Sequence, residues 1–589
     1  MTTEQRAKYK NRIYKKYTNF GSQRFKLNFE GQRNLSWDAD TQFEFKIKRY
    51  AELLWDSYLV VNIPDIWSPF YPRPDISNNT LGRTDLSNVT YVPYEFKWIE
   101  NLGFQMIRKV IIHAGGNILA EYTGEYMAAV IQRDENAKQI LSNEMIGNVT
   151  ALNDPGRAFG RNLYPNAAYD SSGCTSGIEP SIRGRKLYIP LLAWFCYSSK
   201  LALPLIALQY QDVYIRVEMR PIRELYTILN VNQPVTTIPF SYPPVPQINI
   251  NGRGERHAPN SASNTDQMWT FLQEPPNPAI FGYGGTGETF KPSTLPYPGV
   301  YPQNYPIKNN QWNTDIHLLS TYVFLGTEER RQFSFSDHQY LIKNVYEHNF
   351  HNVTGSQRID IPSRNMVSSY MFRFRRSDVN LRNEWSNYSN WLFENTLPDN
   401  IKGWGARQGI GAGVNDSHFL SPDDPFYGSN SNNILGFFVS GCRSVNNIKG
   451  ILLELGVLMG GEYRENIHDS GVYNFVEKWL RTSGFAKAGL YMYNFCIDTH
   501  RNKYQPSGAQ NTDKYKYVTL EFSTIQPPPN EAFVAQQSVD VLCDPSGEII
   551  GMRKDIWNLN KYNFDLCVWE ERYNVVNIRS GRIGMMFAR

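Results

Sequence analysis

His348 and His351 stand three residues apart and form the motif H-x-x-H. Two imidazoles can grip Zn2+ when both reach one face and a third protein ligand completes the shell. Here no glutamate sits at metalloprotease spacing and no third ligand accompanies the pair. On a strand the two rings would face opposite sides, so a surface pair is the expected state. Two glycine-rich stretches invite a phosphate or dinucleotide reading. "GGTGETFK" (284–291) lacks the G-x-x-x-x-G-K-[ST] spacing, and no helix follows it. "GWGARQGIGAG" (403–413) places Gln408 where a dinucleotide fingerprint needs its third glycine. Both are expected to be loops. Asp423 and Asp424 could act as paired carboxylates, but adjacent acids before Pro425 usually build a turn. No nucleophile stands beside a base, and there is no G-x-S-x-G elbow. The expectation is no catalytic residue, no metal and no cofactor.

Other reactive residue types are equally quiet. Cys174, Cys196, Cys442, Cys496, Cys543 and Cys567 contain no C-x-x-C pair, and several lie in apolar runs. They read as reduced thiols in a chain matured in the cytosol. The charged start is followed by no apolar stretch, so no signal peptide is expected. Without one, the N-x-[ST] triplets at Asn34, Asn78, Asn88, Asn148, Asn352, Asn387 and Asn415 say nothing about sugar. The most apolar stretch, Leu187 to Leu208, is broken by Pro190, Ser198, Ser199, Lys200 and Pro204, which rules out a membrane span. Net charge is +4, from 60 basic and 56 acidic residues, giving no global pull on nucleic acid or membrane. One asymmetry is local. Met1 to Tyr17 carries Arg6, Lys8, Lys10, Arg12, Lys15 and Lys16 against Glu4 alone. That is either a solvated terminus or an arm for an acidic partner or anionic membrane.

The surrounding chain reads as an all-β scaffold. Its 37 Tyr and 32 Phe suit pleated, half-buried surfaces, and abundant Asn, Gly and Pro supply turns. "LALPLIALQYQDVYIRVE" (201–218) is apolar at first and then alternates, with Val213, Ile215 and Val217 opposing Asp212, Tyr214, Arg216 and Glu218. This predicts a wholly buried corner entering a strand with one buried face. "RKVIIHAGGNILAEY" predicts a hairpin closed by Gly115-Gly116, whose positive φ angles suit a tight turn. A helix is expected next, from the spacing of Met127, Val130, Ile131, Ile140, Leu141 and Met145, with Thr123 as its N-cap. Trp55, Trp98 and Trp194 lie beside apolar strand positions and are expected in the core.

At 589 residues the chain exceeds one core's usual size, which predicts at least two domains. "NIKGILLELGVLMGGEYREN" repeats the strand, glycine turn and return, and "GVYNFVEKWL" follows as a partly helical passage. Two copies of one plan, each roughly 250 to 300 residues, would satisfy the size limit. Pro221 to about Asn313 lacks sustained periodicity and reads as an insertion.

Several segments together resemble the major capsid proteins of nucleocytoplasmic large DNA viruses, the family of chlorella viruses, mimivirus relatives and iridoviruses. They are, in family order, "YKKYTNF", "VIIHAGGNIL", "LYIPLLAWFCYSSKLALPLIALQYQDVYIRVE", "GTEERRQFSFSDHQYLI", "KYQPSGAQN" and "YNVVNIRSGRIGMMF". The resemblance implies two tandem eight-stranded antiparallel jelly rolls with long loop insertions and a few short helices. It divides the chain into a basic arm (1–20), a first roll (21–326, with the insertion at about 221–313) and a second roll (327–589). It further implies homotrimers that tile an icosahedral shell, placing the protein in the virion after assembly in host cytoplasm. Partners would be the chain itself, neighbouring capsomers, and minor capsid proteins and the inner membrane through Lys10, Arg12, Lys15 and Lys16. No sequence-specific nucleic-acid contact is expected. The competing readings are a capsid-associated paralogue at a vertex or fibre base, and a jelly-roll carbohydrate-binding protein.

Overall fold

The computed structural model describes residues 19–31, 34–74, 89–161, 163–167, 179–229, 256–261, 263, 266–274, 305–395, 445, 448–500, 506–530, 540–543, 549–553 and 560–587. Among the described residues, four principal antiparallel sheets are built on sixteen strands, with four short strands added to them. The first eight are β1 (Phe20–Leu27), β2 (Thr41–Lys46), β3 (Leu53–Ile63), β4 (Ile107–Ala114), β5 (Asn117–Thr123), β6 (Arg185–Pro190), β7 (Val213–Met219) and β8 (His317–Leu325). The next eight are β9 (His338–Phe350), β10 (Ser356–Ile361), β11 (Met366–Arg376), β12 (Leu452–Met459), β13 (Glu462–Asp469), β14 (Leu490–Asn494), β15 (Val518–Thr524) and β16 (Phe564–Arg579).

The order within the sheets identifies the fold. One sheet runs β1-β8-β3-β6 and its companion β2-β7-β4-β5. The other two run β9-β16-β11-β14 and β10-β15-β12-β13. Adding eight to each number of the first pair gives the second pair without exception. Each set of eight, with its first and last strands side by side, is a jelly roll. The internal repeat predicted from two glycine hairpins therefore extends over all sixteen strands. Helix α3 (Thr327–Phe335), which connects β8 to β9, is defined together with three others: α1 (Gly124–Asp134), α2 (Gln139–Ile146) and α4 (Glu477–Arg481).

Sequence explains the strands directly. In β7, Val213, Ile215, Val217 and Met219 are buried, while Tyr214, Arg216 and Glu218 face outward. The outward face is not idle: Arg216 and His113 both reach Glu44, at 3.0 and 3.1 Å. Upstream, Ala202, Leu203, Leu205 and Leu208 are buried across two short 3-10 turns and the two-residue strand Leu203–Pro204 between them, the corner that the prolines required. β15, the counterpart of β7, shows the same alternation with Val518, Leu520 and Phe522 inside. Both hairpin glycine pairs have positive φ: +56° and +86° at Gly115 and Gly116, and +62° and +92° at Gly460 and Gly461.

Two expectations need correction. The single helix through Met145 is broken at residues 135–138 into α1 and α2, and Ile140 and Leu141 are 81% and 61% exposed rather than core. Helical spacing alone did not distinguish an apolar face that is covered from one that is not. The 221–313 segment is also partly structured. Tyr226–Leu229 pairs with both Phe96–Trp98 and Arg256–His257, and Tyr226, Ile228, Met268 and Phe271 are buried. Aromatic contacts such as Phe96 stacked on Tyr226 at 4.7 Å fix it there.

Candidate functional site: the seam between the two rolls

The richest concentration of functional groups lies where the first roll meets the second, and α1 places it there. β5 ends at Thr123, whose Oγ1 accepts the Tyr126 amide at 3.3 Å and starts the helix. Gly124 follows because its backbone lies against the Phe104 and Ile107 carbonyls, with no room for a Cβ. Nine of the eleven residues of α1 are buried. Met127 and Val130 join the apolar core, and that same cluster continues through Met371, Leu490, Met492, Cys567 and Trp569 of the second roll. The two rolls therefore share one continuous core across the seam.

Charged side chains are built into this apolar surface. Arg373 grips Glu125 bidentately, with Nε to Oε1 at 2.6 Å and Nη2 to Oε2 at 2.9 Å, and Arg375 adds a third contact at 3.2 Å. Burial alone would raise the Glu125 pKa, but Arg373 and Arg375 outweigh it and hold the carboxyl at about 2. Beside this, the fully buried Arg133 contacts Asp134 at 2.7 Å and Glu571 of the second roll at 3.0 Å. Glu571 also accepts from Tyr126 at 2.8 Å and Ser369 at 2.9 Å. Thr499 donates to Asp134 at 2.9 Å. Burial works against the Arg133 charge, but Asp134 and Glu571 outweigh it and carry its pKa well above the ordinary guanidinium value. At the rim, Glu347 accepts from Thr123 and from the Trp569 indole, at 2.9 and 3.0 Å.

This geometry clamps. Each seam carboxylate named is engaged by cations or hydroxyls, so none is poised as a base towards an open site. Among the described residues no group of three or more His, Cys, Asp or Glu could hold a metal. The arrangement fixes the relative orientation of two sandwiches and makes them one rigid block.

The residues singled out in the sequence fall elsewhere. Lys10, Arg12, Lys15 and Lys16 lie outside the described residues, as do both glycine-rich loops and Asp423-Asp424. His348 contacts Glu570 at 3.1 Å and His351 contacts Asp565 at 3.3 Å, so the H-x-x-H pair divides between partners. Asn148 and Asn387 use their side chains internally, to the Asn101 amide and the Trp391 carbonyl. Cys196, Cys496 and Cys567 are free thiols, and burial pushes Cys196 up to about 12. Trp98 and Trp194 are core, whereas Trp55 is only half-buried against Leu53 and Val323. The seam ion pairs were missed, and only the arginines of "MFRFRR" inside a strand hinted at them. Trp479, 87% exposed on α4, was missed as well.

Known proteins share both sequence and fold with this chain. A family model described as major capsid protein N-terminus matches residues 8–272. The major capsid protein of Phaeocystis pouchetii virus is 22% identical over 557 residues, covering 86% of this chain and 87% of that protein. That of Chrysochromulina ericina virus is 30% identical over 228 residues, 36% of this chain but only 37% of the relative's length. Among solved structures, PBCV-1 VP54 matches with a TM-score of 0.54 at 14% identity, over 99% of this chain and 100% of that one. In sequence over residues 8–272, and in fold over nearly its whole length, the chain is similar to the double jelly-roll major capsid proteins of large DNA viruses. The Faustovirus major capsid protein gives the same TM-score, 0.54, at 12% identity over 97% of this chain and 92% of its own.

Proposed function

We propose that this capsid-family chain is a structural block of the icosahedral shell of a large double-stranded DNA virus, acting as a homotrimeric capsomer. The observation that carries the reading is the repeat: two rolls with the same strand order, locked side by side by α1. Three such pairs around a threefold axis present six similar sandwiches, and a six-sided block tiles a shell. Closed cyclic symmetry completes the ring without leaving open ends. The partners in this reading are further copies of the chain, neighbouring capsomers, and minor capsid proteins. The basic arm, with Lys10, Arg12, Lys15 and Lys16, faces inward to those proteins and to the inner membrane. Its place is the virion, after assembly in host cytoplasm, and its role is structural rather than enzymatic.

Light scattering coupled to size-exclusion chromatography tests this directly. The expected mass is three times the 68.0 kDa chain. A monomer at micromolar concentration contradicts the trimer.

A further inference from the structure

The internal repeat exposes an imbalance. In each roll a helical segment follows the strand closing the glycine hairpin: α1 after β5, and the π-turn Val472–Val476 with α4 after β13. α1 is buried almost throughout, because the outer face of the β9-β16-β11-β14 sheet lies on it. Its counterpart is not covered by any described residue to the same extent. Of the π-turn and α4 only Tyr473 is buried, while Phe475 is 64%, Val476 48%, Trp479 87% and Leu480 61% exposed. Four large apolar side chains on ten residues form the kind of patch that marks an interaction surface.

The outer sheet faces show the matching imbalance. In the second roll a row of paired residues, Glu347, Trp569, Met371 and Met492, crosses the sheet. The last three are fully buried under the first roll. The corresponding row of the first roll is Lys26, Leu319, Tyr58 and Pro190. Here Lys26 is exposed and the other three only half-buried, and the adjacent Tyr188 is 41% exposed. One roll thus has its helix covered and this row of its sheet only partly covered, although at one end of that sheet Leu53 and Val323 are buried with Phe333 of α3 packed on them. The other has its sheet covered and its helix bare.

We infer that the exposed helix, through Phe475, Val476, Trp479 and Leu480, docks on the partly open row Leu319, Tyr58 and Pro190, with Tyr188 beside it, on the outer face of the β1-β8-β3-β6 sheet of a second copy of this chain. The contact repeats between chains what α1 makes within one. It is heterologous, so it does not pair two copies face to face, and a rotation of one third of a turn per copy closes it into a ring of three. Lys26, at the end of the receiving row, and Lys186 on the same sheet are both paired to Asp315, while Glu465, paired to His468, and Asp469 border the helix. The helix's own cations turn inward, Arg481 to the Cys496 carbonyl and Lys478 to the Lys487 carbonyl. The inference rests on the trimeric reading and names its interface.

The test uses the full chain and three variants. Trp479→Asp removes the helix side, Leu480→Asp repeats that test at a second position, and Tyr188→Asp removes the receiving side. All three residues are exposed in the single chain, so circular dichroism should match the wild type. Each variant is expected to lose the trimer, with association weakened at least about 30-fold, as for a central interface residue. Mixing Trp479→Asp with Tyr188→Asp should then restore one good contact and give a dimer that neither forms alone. If the wild type is trimeric and both helix variants stay trimeric, or the mixture yields no dimer, the inference is overturned while the trimer stands. If the wild type itself is monomeric, the trimeric reading fails first.

Discussion

Arg373 Nε lies 2.6 Å from Glu125 Oε1, joining a strand of the second roll to the first turn of a helix from the first. Both residues are buried, at 4% and 8% exposure. A bare charge left in such a place is costly, while the pair together roughly balances its own desolvation. Glu125→Ala is therefore expected to cost about 3–5 kcal/mol by stranding Arg373. Replacing both by methionine should recover most of that loss. Chemical denaturation of the two variants against the wild type measures it.

The same carboxylate sets an acid limit. Glu125 titrates at about 2 in the folded chain, against an ordinary 4.5. A depressed acid means that the unfolded state binds more protons through this window, so stability falls as pH falls. Its contribution is complete above about 4.5 and is lost between there and about 2. Melting temperature followed from pH 6 downward should drop in that interval, and the drop should be smaller in the double methionine variant.

A second carboxylate acts in the opposite sense. Burial, with the nearby Glu100 carboxylate of the first roll, pushes Glu384 up to about 8. Folding then holds a proton that the unfolded chain releases above 4.5, so stability declines as pH rises from about 4.5 to about 8. Glu384→Gln should flatten that decline and stabilise the protein at pH 8. A melting curve unchanged by the substitution at pH 8 would contradict it.

We propose a separable role for the basic arm. Replacing Lys10, Arg12, Lys15 and Lys16 together by Glu should leave the isolated trimer intact while impairing assembly onto the inner layer. Sedimentation of the purified oligomer and yield of assembled particles read the two effects apart. Collapse of the trimer itself would make the arm a clamp between subunits.

Much of this architecture was legible in the sequence because it is local. The alternation of β7, the glycine hairpins and the Thr123 cap each depend on residues within a few positions of one another. What was not legible depends on distant chain. β11 carries Tyr370, Phe372 and Phe374 into its own core and Met371, Arg373 and Arg375 towards the first roll, so both faces are covered. Two arginines in a strand have no local partner in the sequence; Glu125, about 250 residues earlier, supplies the counter-charge. The reverse holds for Ile140, Leu141 and Trp479, apolar residues left exposed among the described residues. Periodicity reports which residues share a face. It does not report whether another element lies there.

Electron-microscopic class averages of the purified oligomer test the central claim most directly. Two sandwiches per chain, locked at the seam and repeated three times, predict a threefold particle with six similar lobes. A particle without threefold symmetry, or one with three lobes instead of six, would contradict the account.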